Sequence, residues 1–291
     1  MKSRKEKIFL TGADGFLGRY VADTLRNKGL SFTASSLGDL DIMDKKAVIN
    51  KTKGYKSVIH LAGNIRTSDT DNAEKHFNIN ALGTLNILEA CRINKIPRII
   101  LASSVEVYGN LHKAGTIKET DITVPENFYG QSKLLAECFC REYSEKFGIK
   151  FTALRFTYLY GHGMHPSRIV PKMINAAIDG ERLILSVDPS SFMDMVYVRD
   201  AAQAVLLSLK SKKAQGEVIN VSSGIKTRIR DVDRVISSIY PSFKLKIKTQ
   251  KEIGNHYLYD NHRAKNILKF KPAYSLEAGF LDYIKCRTDD K

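Results

Sequence analysis

The chain has 291 residues and 43% hydrophobic content, enough for a substantial core in one large domain or two interlocked ones. Its four cysteines, Cys91, Cys138, Cys140 and Cys286, have neither Cys-x-x-Cys nor metal-ligand spacing, so no metal is expected. The net charge of +15 is dispersed, with mild concentrations at 2–7 and 244–251 and no basic stripe interleaved with aromatics, which argues against a nucleic-acid partner. No apolar run is long enough to cross a bilayer, and 8–10 is too short for a signal-peptide core. A reducing cytoplasm, with no membrane partner, is the expected setting.

In chain order, short apolar runs at 8–10, 31–34, 58–61, 99–102 and 152–154 read as strands. Helical patterns fall at 20–28, 84–94, 129–146 and 170–179. Strands separated by helix-length segments predict an α/β fold, a doubly wound parallel sheet of Rossmann type. Residues 1–160, with a return segment at 196–222, are expected to bind a dinucleotide. The segments 161–195 and 223–291 are expected to form a smaller C-terminal lobe that binds substrate.

The first strand runs directly into Thr11-Gly12-Ala13-Asp14-Gly15-Phe16-Leu17-Gly18, a strand-to-helix turn with glycines spaced Gly-x-x-Gly-x-x-Gly. A pyrophosphate needs that spacing: Gly12 for the tight turn, Gly15 for backbone approach, Gly18 for close helix packing. Gly12, Gly15, Phe16, Leu17 and Gly18 are therefore candidate cofactor residues. The second strand ends in Ser35-Ser36, with neither an acid for an adenosine ribose nor an arginine for a 2′-phosphate. Ser35 and Ser36 can hydrogen-bond either group, so NAD and NADP both stay open.

Farther along, Tyr129-Gly130-Gln131-Ser132-Lys133 puts a phenol and a lysine on one helix face, downstream of Ser104. Hydride transfer at a carbinol needs a group that trades one proton with the substrate oxygen near neutral pH. Tyrosine's ordinary pKa of about 10 is too high, so a nearby cation has to favour the phenolate. Tyr129 is the candidate acid/base, Lys133 its cation and Ser104 the anchor of the substrate oxygen.

Several further motifs, at matching separations, make the chain resemble an extended short-chain dehydrogenase/reductase of the NAD-dependent epimerase/dehydratase type. They are Val58-Ile59-His60-Leu61-Ala62-Gly63, Asn80-Ala81-Leu82-Gly83-Thr84-Leu85-Asn86, Asp194-Met195-Val196-Tyr197-Val198-Arg199-Asp200 and Asn220-Val221-Ser222-Ser223-Gly224. The resemblance implies that Leu61, Ala62 and Gly63 lie beside the cofactor, that Asn80 fixes the active-site helix, and that Asp41-Ile42 contacts the adenine. It implies chemistry at a carbinol or keto carbon of a sugar, most simply a nucleotide-sugar epimerase or 4-ketoreductase, and a homodimer formed through the helices near 84–94 and 129–146.

Family members that remove water carry an adjacent Asp-Glu pair after the hydroxyl residue; here Val105 precedes Glu106, which disfavours a 4,6-dehydratase and leaves Glu106 as a candidate base. Substrate determinants depart from the family pattern. Tyr158 stands where an asparagine is usual, Met193 where an arginine precedes the Asp, and Gln250 where a second arginine is expected, with Lys248, Lys251 or Arg263 as replacements. Tyr158, Met193 and Arg263 are thus the candidate substrate residues. Two alternatives remain at this stage: a reductase of a keto substrate without a nucleotide, or a cofactor-sensing or nucleic-acid-binding protein that does no chemistry.

Overall fold

The computed structural model describes residues 7–65, 72–111, 115–249 and 257–289. Gln250, which stands in place of the second arginine, and Lys251, weighed as a replacement for it, lie outside the described residues. Down the chain come strands β1 (Ile8–Thr11), β2 (Phe32–Ser35), β3 (Ser57–His60), β4 (Arg98–Ser104), β5 (Thr116–Ile117), β6 (Lys150–Phe156) and β7 (Tyr158–Tyr160). Then follow β8 (Arg182–Val187), β9 (Phe192–Tyr197), β10 (Glu217–Val221), β11 (Lys226–Arg228), β12 (Lys244–Thr249) and β13 (Leu258–Tyr259). Between them lie helices α1 (Phe16–Asn27), α2 (Lys45–Lys51), α3 (Ala73–His76), α4 (Gly83–Ile93) and α5 (Phe128–Phe147). The remaining helices are α6 (Ile169–Ile178), α7 (Val198–Lys210), α8 (Ile229–Ile239) and α9 (Leu276–Asp289).

Six of the strands form one all-parallel sheet in the order β2-β1-β3-β4-β6-β10. Side chains alternate across a strand, and here the alternation feeds two cores. Ile8, Leu10, Ile59, Ile100, Leu154, Phe156, Ile219 and Val221 face one core, with α1 and α7 laid over it. Phe9, Val58, Ile99, Leu101, Phe151, Ala153 and Val218 face the other, under α2, α4 and α5. The doubly wound expectation holds. The first core continues without a break into α6, α8 and α9 through Met173, Ile174, Val232, Ile236 and Phe280.

The order in which strands are added reverses at β1, with β2 on one side and β3 on the other. In an open sheet of this kind the crevice beyond the strand ends at that reversal is where a ligand fits. Beyond the C-terminal ends of β4, β6 and β10 sits a second, three-stranded sheet, β11-β9-β7, entered directly from β6 through β7.

Candidate functional site

At the reversal, Gly12 has φ +68°, and a Cβ there would stand 2.5 Å from the Ala62 amide nitrogen of the β3 loop. A Cβ on Gly18 would collide with the Gly12 carbonyl, and the Gly15 amide turns back to that same carbonyl at 3.1 Å. Only glycine fits where two loops and a helix start are this close. Gly15 is the N-cap of α1, no side chain caps it, and Phe16 and Leu17 open the first turn. The backbone there is a concave cradle at a helix N-terminus, which fits a dinucleotide pyrophosphate.

The end of β2 differs from the expectation of a strand without an acid. Asp39 returns through a turn, and its Oδ2 accepts the Ser36 amide at 3.1 Å and the Ser36 hydroxyl at 2.8 Å. These bonds hold the Asp39 carboxyl below the usual carboxylate range. Ser35 is buried, and its hydroxyl has no hydrogen-bond partner. Asp41 binds its own turn at the Met43 amide, 2.9 Å away. The Ile42 side chain is buried against Gly83, where an added Cβ would meet it at 2.6 Å.

Below the cradle, a buried network locks β1, β3 and the entry to α4. The Thr11 hydroxyl lies 2.8 Å from His60 Nδ1, and His60 Nε2 lies 3.1 Å from the Thr84 hydroxyl. Thr84 donates to the Asn80 carbonyl, so it must accept from His60, which assigns the imidazole proton to Nε2. The Ala62 amide donates to Thr11 Oγ1 at 3.2 Å. Burial, reinforced by the Lys133 charge, pulls His60 down to about 3. From there up to 6.5 the unfolded chain takes a proton that the folded chain refuses, so stability falls as pH drops through 6.5. Thermal unfolding between pH 6.5 and 5 should show a loss of about 1.4 kcal/mol per pH unit from this residue, absent in His60→Asn. A wild-type curve parallel to that of the variant would contradict it.

Asn80 lies in a π-helical turn, Phe77–Leu82, that enters α4. Its Oδ1 accepts the Asn64 amide at 2.7 Å, and its Nδ2 donates to the Asn64 carbonyl and to Ser132 Oγ at 3.0 and 2.9 Å. Ser132 in turn donates to the Tyr129 carbonyl at 2.8 Å. Asn80 therefore ties the β3 loop to the helix that carries the phenol. At the start of that helix, Asn127 Oδ1 caps the Gly130 amide at 2.7 Å. Asn127 Nδ2 donates to Glu106 Oε2 at 2.8 Å, and the Glu106 amide bonds Ser104 Oγ at 3.2 Å.

Tyr129, Ser104 and Lys133 converge at the ends of β4 and α5. The Ser104 hydroxyl stands near enough to the Tyr129 phenol to favour its ionised form. Lys133 Nζ, buried, donates to the Ala102 carbonyl at 3.0 Å and stands 5.8 Å from the Tyr129 ring centre. A Cβ on Gly63 would meet that nitrogen at 3.1 Å, so glycine at this position leaves room for the lysine head. Burial pushes the phenol up to about 12, against the pull of Ser104 and Arg168, and pulls Lys133 down to about 8. The expected depression of the phenol by Lys133 is thus not met by the protein alone, because desolvation outweighs the nearby charges. Lys133 is supported from behind by Glu137, which forms a buried bidentate pair with Arg155 at 2.9 and 2.6 Å and accepts the Ser103 hydroxyl at 2.5 Å.

Of the three substrate candidates, Tyr158 and Met193 lie on the paired strands β7 and β9, Tyr158 opposite Met195, and Arg263 stands apart. Tyr158 opens β7 with its hydroxyl sealed from solvent. Met193 lines a cavity of about 130 Å³ with Ile169, Val187, Asp188, Phe192 and Thr227. Arg263 is turned to the opposite end of β10: its Nη1 pairs with Glu217 at 2.8 Å and its Nε lies 3.8 Å from Glu119. Among the described residues no cluster of three or more His, Cys, Asp or Glu could hold a metal, and no helix is long and apolar enough to cross a membrane.

Sequence reasoning missed Asp39, Arg168 and Glu137. Asp39 follows a Leu-Gly turn signal that would have placed it near Ser36. Arg168 precedes an apolar helical run, and Glu137 lies one turn past Lys133 on the same face.

A model of the NAD dependent epimerase/dehydratase family matches residues 8–222. A Bacillus subtilis (strain 168) protein described as an uncharacterized UDP-glucose epimerase, YtcB, is 25% identical over 297 residues, spanning 98% of this chain and 90% of its own. Among solved structures, the UDP-glucuronic acid 4-epimerase of Bacillus cereus in complex with UDP-glucuronic acid and NAD has TM-score 0.85 and 24% identity, over 98% of this chain and 100% of that one. RMD of Pseudomonas aeruginosa complexed with NADPH has TM-score 0.88 and 24% identity, over 98% and 99%. Those two likenesses carry the fold. Membership follows from the matching model and from the glycine cradle built for a dinucleotide: the chain belongs to the NAD dependent epimerase/dehydratase family, enzymes that work with a nicotinamide dinucleotide.

Proposed function

We propose that the protein is an oxidoreductase or epimerase that moves a hydride at a carbinol or keto carbon of a nucleotide-linked sugar. The observation that carries this reading is the convergence of the Ser104 hydroxyl, the Tyr129 phenol and Lys133 at the sheet edge that also bears the glycine cradle. Gly12, Gly15, Phe16, Leu17 and Gly18 would hold the pyrophosphate, with Leu61, Ala62 and Gly63 alongside. Bound nicotinamide supplies the hydride acceptor or donor and, when oxidised, a positive ring. Ser104 holds the substrate oxygen, and Tyr129 Oη takes or returns its proton. Lys133, bonded to Ala102, keeps positive charge near the phenol.

Glu106 is held by Asn127 at the start of α5 and has Val105 before it, so the reading stays with epimerase or 4-ketoreductase rather than dehydratase. A keto-reductase without a nucleotide is the second reading. The apolar wall around Met193, its neighbour Asp188 and the engagement of Arg263 by glutamates favour it. Product analysis with NAD-saturated protein and nucleotide sugars separates them: conversion of a nucleotide sugar supports the first, and conversion of free keto compounds alone supports the second.

Asp39 favours NAD, because a 2′-phosphate at the end of β2 would meet its carboxylate. NADH should bind roughly tenfold tighter than NADPH, and Asp39→Asn should remove most of that gap. Equal affinities in the wild type would refute the assignment. Exposed Ile93 and Phe147, near the C-terminal ends of α4 and α5, support pairing of two copies through these helices. The four free cysteines suit a reducing cytoplasm.

A further inference from the structure

The basic concentration at 244–251 takes a definite form in the fold. β12 pairs in parallel with β8 as a separate two-stranded ribbon, in the register Lys244 with Arg182, Lys246 with Ile184 and Lys248 with Ser186. Side chains of a strand alternate between faces, so the ribbon has an inner and an outer surface. Leu183, Leu185, Val187, Leu245 and Ile247 turn inward onto the first core. Arg182, Ile184, Ser186, Lys244, Lys246 and Lys248 are all exposed on the outside. That outer surface carries four cations and no acid, with Glu181 and Asp188 flanking β8 at its two ends. None of the four cations is ion-paired to a described residue, whereas Arg26, Arg92, Lys146 and Arg199 each hold a carboxylate. Ile184, next to Lys246 and 54% exposed, puts an apolar side chain in the middle of the charges.

We propose that the outer face of this ribbon lies on an anionic lipid bilayer, with its cations at the level of the headgroup phosphates and Ile184 entering between headgroups. This surface role goes beyond the catalytic reading above and does not depend on it. The expectation of no membrane partner came from the lack of a spanning run, and a chain that lies on a bilayer needs none. Lysines two residues apart on a strand stand about 6.6 Å from each other, so the row along β12, with Arg182 across from it, meets a plane of phosphates together. Each cation beside an anionic surface contributes about fivefold in binding. The net charge of +15 adds attraction at longer range. Lysine on an edge strand also guards it against pairing with another chain, but that guard calls for no exposed isoleucine beside it. Single-stranded nucleic acid is the competing polyanion; it is gripped through aromatic side chains on which bases stack, and the outer face has none. Lys248, weighed above as a phosphate ligand, belongs to this face.

The test is sedimentation of the full chain with vesicles of phosphatidylcholine, alone or in equal parts with phosphatidylglycerol. Binding is expected on the mixed vesicles at low salt and not on phosphatidylcholine alone. It should fall steeply as salt rises to about 0.5 M, where screening cuts the reach of each charge to a few ångströms. Arg182→Gln/Lys244→Gln/Lys246→Gln should weaken binding about a hundredfold with the melting temperature unchanged. The same loss of charge at Lys28, Lys53 and Lys56, exposed in the loops before β2 and β3, should cost less than about threefold. Ile184→Ser should cost about threefold on the mixed vesicles and nothing on single-stranded RNA. Should the triple variant of the ribbon fail to fold, Lys246→Gln alone must weaken vesicle binding about fivefold for the inference to stand. Equal weakening by the two triple variants assigns the binding to net charge rather than to this face and overturns the inference. Absence of binding to the mixed vesicles overturns it as well, with or without binding to RNA.

Discussion

Replacing Tyr129 by phenylalanine is expected to cut turnover by about 10²–10⁴-fold while leaving NAD affinity within about twofold. The ring stays where it is: its helix is capped by Asn127, tied to Asn80 through Ser132, and packed edge-on against His76. Only the proton-carrying oxygen is lost, together with its interaction with Ser104. Burial holds this phenol at about 12 in the protein alone, so it is a poor base until a further positive charge arrives. The oxidised nicotinamide ring is such a charge, which couples cofactor binding to proton transfer. Steady-state rates and fluorescence titration of NADH check both halves of the expectation. Full activity in Tyr129→Phe would remove the acid/base assignment.

The second large effect concerns stability. Glu137→Gln should destabilise the fold by about 3–5 kcal/mol, because it strands the Arg155 guanidinium in the core. Glu137 and Arg155 are 2% and 4% exposed, too little for water to compensate the lost charge. One of the two acceptor oxygens becomes an amide donor, so one side of the Arg155 fork is lost, and Lys133 loses the carboxylate that raises it. Chemical denaturation with and without NAD measures the loss. A change below about 1 kcal/mol would mean that the pair is as dispensable as an exposed one.

The sheet was legible because buried parallel strands read as short apolar runs, and the strand ends fell within a residue of expectation at β1, β2 and β3. The pyrophosphate cradle was legible for a related reason: close approach of backbone to backbone leaves glycine as the only residue that fits, so geometry is written directly into residue type. The approach of Lys133 to the Tyr129 ring at helical spacing was equally readable. What was not readable depended on side chains arriving from distant turns. Asp39, four residues past the end of β2, brings a carboxylate back to Ser36. Arg263 was expected near substrate, but Glu217 and Glu119, distant in sequence, capture it. The direction of the Tyr129 shift also escaped, since spacing places Lys133 one turn away but carries no measure of how strongly burial acts on the phenol.

The measurement that bears most directly on the central claim is the melting temperature of the NAD-saturated protein as UDP, dTDP, GDP and CDP are added in turn. A ligand that binds only the folded state stabilises it by mass action, about 2.7 kcal/mol at a hundred times its Kd. A rise with one nucleotide is expected, and it should persist in Tyr129→Phe, because the phenol is not a nucleotide contact in the proposed site. No rise with any of the four, with NAD demonstrably bound, would contradict a nucleotide-linked substrate and leave the keto-reductase reading in its place.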